Sequence, residues 1–115
     1  MGNLTAARKA HQKALDLQPD LQEAHIGLAL VEQDMGNGLT ANKVIQAALA
    51  LKRSGIAYLY QGVILHQQND LKEAEIAWRL ANELDPKTRK LIETWRAINP
   101  KSNWKFLHSN PRISA

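Results

Sequence analysis

The sequence contains no cysteine and no apolar run that approaches the length of a membrane span. The absence of cysteine excludes disulfides, thiol catalysis and thiolate-bound metals. A helical span would need roughly 20 apolar residues in succession. The N-terminus also lacks the basic, apolar and small-residue succession of a signal peptide. We expect a soluble protein without a membrane span, and these features favour the cytoplasm over secretion without fixing the compartment.

Aromatic residues are scarce, at 5% of the 115 residues, although 44% of the residues are hydrophobic. Leucine, isoleucine, valine and alanine must therefore fill the core. A chain of this length and composition builds one modest hydrophobic core. We expect one domain.

Catalytic and cofactor-binding patterns are also missing. The sequence has no glycine-rich phosphate loop, no nucleophile elbow and no zinc-protease motif. Its four histidines lie on different segments without the close spacing of a metal-binding pair. The acidic pairs Asp20 with Glu23 and Asp70 with Glu73 are explained by helix starts. The sequence predicts neither an enzyme, a cofactor nor a metal site.

The basic charge is concentrated near the C-terminus. Residues 1–86 carry 8 basic and 10 acidic side chains, whereas residues 87–115 carry 7 basic side chains and a single acidic one, Glu93. The tail 100–115 places Trp104 and Phe106 among lysines, a mixture that stacks on nucleic-acid bases in some proteins. Its charges are too dilute for a nucleic-acid arm, so we expect a flexible tail or one that folds back.

A pattern of small, turn-forming and apolar residues returns every 33 to 34 residues. Gly2, Asn3, Ala7, Ala14, Leu15 and Pro19 reappear as Gly36, Asn37, Ala41, Ala48, Leu49 and Arg53, and then as Asn69, Asp70, Ala74, Ala81, Asn82 and Pro86. Such a unit is too short for a self-sufficient domain and fits two helices that bury their apolar face against neighbouring units. The function of such an array lies in a surface.

The spacing of apolar residues predicts six helices, at about 4–17, 21–35, 39–52, 55–68, 70–85 and 88–98. Asp20 with Glu23, and Asp70 with Glu73, have the spacing of a helix-capping box. Gly36 to Gly38 and Asn69 are expected to turn the chain between paired helices. Pro86 should end the fifth helix, since the residue before a proline disfavours the helical conformation.

These residues resemble the tetratricopeptide repeat family. In the third unit the positions that the family gives to aromatic, small, bulky, small, aromatic, small and proline residues hold Tyr58, Gly62, Leu65, Ala74, Trp78, Ala81 and Pro86. The resemblance implies an all-α fold, an α-solenoid of antiparallel helix pairs in a right-handed superhelix.

The middle unit keeps the small positions as Ala29, Ala41 and Ala48 but departs from the family elsewhere. His25 replaces a large aromatic residue, Glu32 a bulky one and Arg53 the proline, departures that we expect to weaken packing. In the third unit Gln61 stands where leucine is usual, which predicts a looser or hydrated contact.

The resemblance also divides the chain. Residues 1–19 form the second helix of an incomplete first repeat, 20–53 the second repeat, 54–87 the third repeat, 88–99 a capping helix and 100–115 the basic tail. The first helix then shows an apolar face around Leu4, Ala7 and Ala14 without one of its expected partners. A cut from a longer array, closure by another chain and a tolerated ragged end are the three explanations.

In the family, the first helix of each pair lines a concave groove that binds other proteins. The matching positions here give ten candidate peptide-binding residues: Glu23, Ile26, Leu30, Gln33, Ile56, Leu59, Tyr60, Val63, His66 and Gln67. They make a mostly apolar groove with polar ends, suited to the apolar face of a peptide. The resemblance therefore implies a scaffold or adaptor whose partner is another protein or peptide.

Two other functions stay open at this point. A homo-oligomerisation module would complete the truncated first repeat with another copy of the chain. A nucleic-acid accessory protein would use the basic tail, although nucleic acid is the least favoured partner.

Overall fold

A computed structural model describes residues 3–99, which fold into six α-helices without a strand. The helices are α1 Leu4–Leu17, α2 Gln22–Asp34, α3 Gly38–Leu51, α4 Gly55–Gln67, α5 Leu71–Leu84 and α6 Thr88–Ile98. Across these residues, none of the helices has the length and hydropathy needed to cross a membrane. The predictions for the tail 100–115 lie outside the described residues.

The predicted all-α class is confirmed, and each predicted helix is present to within a few residues. The turns also follow the repeat. Gly36 has a φ of 86°, and Asn69, at the equivalent position of the next unit, has a φ of 65°. Glycine and asparagine are the residues that adopt this left-handed conformation most readily. The two turns between α2 and α3 and between α4 and α5 therefore share one backbone solution.

The two predicted capping boxes are wrong. The residue that precedes α2 is Leu21 rather than Asp20, and the side chain of Asp70 makes no capping hydrogen bond at the start of α5. The ψ of 70° at Asp70 departs from the extended backbone of a capping residue. Ser54, with a ψ of 157°, does cap a helix, since its Oγ accepts a hydrogen bond from the Ala57 N–H at 3.2 Å.

Helices that are consecutive in the chain pack against each other, and α4 also contacts α2 and α6. Small side chains lie at the contacts of the two helix pairs α2–α3 and α4–α5. Ala41 and Ala48 on α3, and Ala74 and Ala81 on α5, are fully buried. Alanine at these positions lets two helix backbones approach closely, so the residues that repeat in the sequence are those at the helix contacts.

The packing of Trp78 against Gly62 shows how tight one contact is. A methyl group added to Gly62 would lie 2.2 Å from Nε1 of Trp78. The same indole N–H donates a hydrogen bond to the backbone oxygen of Leu59 at 3.0 Å. A large ring on α5 thus requires a residue without a side chain on α4, and the ring nitrogen keeps a partner although Trp78 is buried.

Two glutamines connect the second helix pair to the first. Gln22 donates through Nε2 to the backbone oxygens of Ala48 at 3.0 Å and Lys52 at 2.6 Å, and its Oε1 accepts from Ser54. Gln68 donates through Nε2 to Gln33 Oε1 at 2.7 Å and to two further oxygens, on Gly38 and Asn42, at 3.2 Å. Gln22 thereby connects the end of α3 to the start of α4, and Gln68 connects the end of α4 to the start of α3 and the end of α2.

Ala74→Leu should lower the free energy of unfolding by about 1 to 3 kcal/mol, because a larger side chain overpacks the contact between α4 and α5. Lys72→Leu is the matched control, since Lys72 lies on the same helix and is exposed. Urea unfolding followed by circular dichroism measures both. Equal, small effects at the two positions would contradict the repeat alignment.

Candidate peptide-binding surface

All ten predicted binding residues lie on α2 and α4, two helices that contact each other. Their exposure differs widely. Three are buried, namely Ile26, Leu59 and Val63. Four are half-buried, namely Leu30, Gln33, Tyr60 and His66. The remaining three, Glu23, Ile56 and Gln67, are exposed. The predicted set is therefore a mixture of core and surface residues.

The three buried residues belong to the hydrophobic core. Ile26, Leu59 and Val63 are only 5% to 6% exposed and join the same apolar cluster as Trp78. The sequence pattern left them free for a ligand, because it considered packing within a helix pair only. The cluster that holds them contains residues of α2, α3, α4, α5 and α6, so packing between successive pairs removes them from the surface that a ligand reaches.

Two of the half-buried residues make interactions within the protein. Gln33 accepts the 2.7 Å hydrogen bond from Gln68. His66 stacks on Trp78, with ring centroids 5.4 Å apart, and meets the edge of Trp95 at 5.0 Å. Both side chains hold helices together, so neither is free to specify a ligand.

The rings of His66, Trp78 and Trp95 form an aromatic cluster that joins α4, α5 and α6. The guanidinium of Arg96 lies 4.8 Å from the centre of the Trp78 ring and also pairs with Glu75. Burial lowers the pKa of His66, and the nearby Arg96 lowers it further, whereas Glu75 acts in the opposite direction. A neutral imidazole suits this stack, which holds α6 against α4 and α5.

Five residues of the predicted set remain accessible. Ile56 is 40% exposed and lies in the first turn of α4, and Glu23 and Gln67 are also exposed. Leu30 and Tyr60 pack against the core but keep part of their surface in solvent. We call these five residues the α2–α4 surface; three of them are largely apolar and two are polar.

Sequence reasoning missed the role of Glu32. This residue is 5% exposed, and its carboxylate accepts hydrogen bonds from Arg8 Nε at 3.0 Å and Arg8 Nη2 at 2.9 Å. Asn37 Nδ2 donates a third hydrogen bond at 2.8 Å. A bulky apolar residue was expected here and Glu32 was expected to weaken packing, but it connects α1, α2 and the following turn. Arg8 lies 24 residues away, and the available signal was an acidic residue at an apolar repeat position.

The interaction between Arg8 and Glu32 shifts the pKa of both side chains toward the charged form. The hydrogen bonds from Arg8, and then that from Asn37, hold the pKa of Glu32 below its ordinary value, although burial acts against them. The same hydrogen bond and charge raise the pKa of Arg8. A buried carboxylate with a bidentate arginine partner stays ionised near neutral pH.

Helix α1 presents an open face. No residue of α1 is buried, and Ala7 and Ala14 are partly exposed. Their equivalents in the next two units, at 41 and 48 and at 74 and 81, are fully buried by a partner helix. On its other side α1 packs on α2, where the ring of His11 lies over Gly27.

Comparison with protein-family models and with curated proteins gives no match. The resemblance to the tetratricopeptide repeat family therefore rests on the residues of the repeat. Within residues 3–99, no group of three or more histidine, aspartate or glutamate side chains has a geometry that could hold a metal ion.

Glu32→Gln should lower the free energy of unfolding at neutral pH by about 1 to 3 kcal/mol, because two charge-assisted hydrogen bonds become weaker. About a third of the Arg8 side chain is exposed, so solvent screening favours the lower end of this range. Since the folded-state pKa of Glu32 lies below its ordinary value of 4.5, the stabilisation is present above that pH and is lost as pH falls through the folded-state pKa.

The measurement is urea unfolding of both proteins at a series of pH values. The difference in stability should be constant near neutrality and shrink below about pH 4.5. Glu83→Gln, at an exposed position, is the control and should change stability little. A difference that grows on acidification would rule out the assigned role of Glu32.

Proposed function

We propose that this protein is an interaction module, a tetratricopeptide-like solenoid that binds a partly apolar peptide on the α2–α4 surface. The repeat architecture is supported by the equivalence of the two complete helix pairs. Small residues are fully buried at the same positions of α3 and α5, and left-handed residues occur at the same position of both turns. A right-handed superhelix with α6 as its cap is the arrangement that this family resemblance implies.

The observation that carries the binding function is the exposed apolar residue Ile56, on the same helix as the partly exposed Tyr60. An isoleucine in the first turn of a helix, 40% exposed, is not needed for the core. Glu23 and Gln67 supply polar groups on α2 and α4. This combination suits a peptide with one or two apolar side chains. We propose a scaffold or adaptor without catalytic activity.

A second candidate function follows from the open face of α1. The partial exposure of Ala7 and Ala14, at positions that are covered in the other two units, favours docking of another helix there. If the protein is an oligomerisation module, the helix that docks on α1 belongs to a second copy of the chain. Contiguous apolar surface of this kind marks contact sites in soluble proteins.

The peptide-binding proposal is tested with Ile56→Asp. Peptides selected from a random library on the unaltered protein should contain apolar residues, and the variant should bind them about 2 kcal/mol, or roughly 30-fold, more weakly. Leu39→Asp is a matched control, because Leu39 is 81% exposed and occupies the same place in the first turn of α3. An aspartate in the first turn of a helix is well tolerated, so both variants should fold.

Fluorescence anisotropy gives the dissociation constants, and circular dichroism checks helicity. Unchanged affinity of Ile56→Asp with full helicity would exclude the α2–α4 surface as the binding site. Leu59→Asp is unsuitable for this test, because Leu59 is a core residue and its replacement would disrupt the fold.

The oligomerisation candidate is tested by sedimentation. The unaltered protein should show a mass that rises with concentration, and Ala14→Glu should return it to a monomer because a charge would enter the apolar contact. Gln12→Glu, an exposed position on the same helix, is the control and should leave association unchanged. A monomer at all concentrations would eliminate this candidate.

A further inference from the structure

A groove between α3 and α4 is lined by amide and apolar side chains. It consists of two adjoining cavities of about 360 Å³ and 240 Å³, and both are lined by Gln46 and Gln61. The larger cavity extends to Arg53 and Tyr58, and the smaller one extends to Asn42 and the start of α5. The loose contact expected at Gln61 is therefore present on both sides of that residue.

The two central amides have no hydrogen-bonding partner within residues 3–99. Gln46 is exposed and Gln61 is half-buried, and neither makes a hydrogen bond to the described part of the chain. Each amide offers two N–H donors and one carbonyl acceptor. A ligand with alternating donors and acceptors, such as an extended polypeptide backbone, matches both groups.

The two ends of the groove carry opposite charges. At one end Arg53 donates through Nε to the hydroxyl oxygen of Tyr58 at 3.0 Å, which leaves its terminal nitrogens for another acceptor. At the other end Asp70 and Glu73, one turn apart at the start of α5, make no ion pair or hydrogen bond through their carboxylates in the described residues. The groove therefore has amide groups at its centre and opposite charges at its ends, set among the apolar side chains of Ile45, Leu49, Ala50 and Leu65.

The length of the groove sets the size of its ligand. From Asn42 to Arg53 the chain advances eleven residues, mostly in α3, which corresponds to roughly 16 Å at 1.5 Å per residue. An extended chain advances about 3.3 Å per residue, so about five residues fit. A longer contact would leave the groove at both ends.

We propose that this groove binds an extended segment of about five residues from a partner protein. Gln46 and Gln61 bond its backbone, a basic side chain lies near Asp70 and Glu73, and an acidic side chain lies near Arg53. The carboxylates disfavour a nucleic acid, whose phosphates would be repelled at that end.

This site is separate from the α2–α4 surface. At 100° per residue, Tyr58, Gln61 and Leu65 lie on one side of α4, whereas Ile56, Tyr60 and Val63 lie on the other. The groove and the α2–α4 surface therefore bind independently, and a variant in one leaves the other intact.

The probes are three capped heptapeptides with a small polar centre. One has lysine at its N-terminal end and glutamate at its C-terminal end, one has these reversed, and one has glutamine at both ends. An extended chain runs along a groove in either direction, so we expect one of the two charged peptides to produce saturable shifts of the Gln46 and Gln61 side-chain amide signals in NMR spectra. The neutral peptide should bind about tenfold more weakly.

Two variants establish where the peptide binds. Gln61→Leu restores the bulky residue of the repeat and removes the half-buried amide, and Gln46→Ala removes an exposed amide without disturbing the core. Binding to each variant is followed through the amide that remains, Gln46 in Gln61→Leu and Gln61 in Gln46→Ala. Its saturable shift should be abolished or strongly weakened, whereas Ile56→Asp should leave the shifts of both amides unchanged. The last variant distinguishes a failure here from a failure at the α2–α4 surface.

Three results would overturn the proposal. They are the absence of saturable shifts at millimolar concentrations of all three peptides, shifts confined to the α2–α4 surface, and binding that both glutamine variants retain. Groove signals that change with protein concentration alone would assign the groove to a second copy of the chain and would also overturn it.

Discussion

Close approach of paired helices is the constraint on which the rest of this structure depends. Two helix backbones come closest where the side chains between them are no larger than a methyl group, or where a large ring meets a glycine. Ala41 and Ala74 satisfy the first condition, and Gly62 beneath Trp78 satisfies the second. The separation of the two helices at these points defines the space between them that the surrounding apolar side chains fill, so the core is closely packed.

The constraint also explains where polar residues are tolerated. Glu32 lies on α2 where that helix contacts α1. The long side chain of Arg8 reaches its carboxylate from α1. Gln61 lies where α3 and α4 are less closely packed, so its amide borders open space. Both positions belong to bulky residues in the repeat pattern. Each polar replacement lies at a contact between successive units, α1 with α2 for Glu32 and α3 with α4 for Gln61.

Most of the fold follows from local patterns in the sequence. Comparison of one part of the chain with another reveals the repeat. That repeat predicts the helix positions, the left-handed turns at Gly36 and Asn69 and the small residues at the helix contacts. It does not predict the caps, because a capping hydrogen bond depends on the backbone angle of one residue. Asp70 has the right side chain with an unsuitable ψ, whereas Ser54 has both. The type of side chain alone therefore does not determine the ψ of a capping residue.

The candidate site was harder to predict than the fold, for a related reason. Helical periodicity identifies the side of α2 and α4 that points away from the paired helix, and it finds Ile56 and Tyr60 correctly on that side. It does not show how closely successive pairs approach. That distance decides whether Leu59 and Val63 are surface or core residues, and here it buries them. The partners of Glu32 and Gln33 escape prediction similarly, since Arg8 and Gln68 lie on other helices.

The two bridging glutamines have a consequence for how the molecule unfolds. Where helix pairs pack side by side, coupling between neighbouring pairs determines whether they open together or one at a time. Gln22 binds carbonyl groups at the end of α3 and the capping serine of α4, and Gln68 binds the turn between α2 and α3 from the far end of α4. Opening either pair alone would break hydrogen bonds at both edges of the contact. The central four helices should therefore exchange their amide hydrogens as one cooperative block, while the singly supported α1 opens in smaller, more frequent fluctuations.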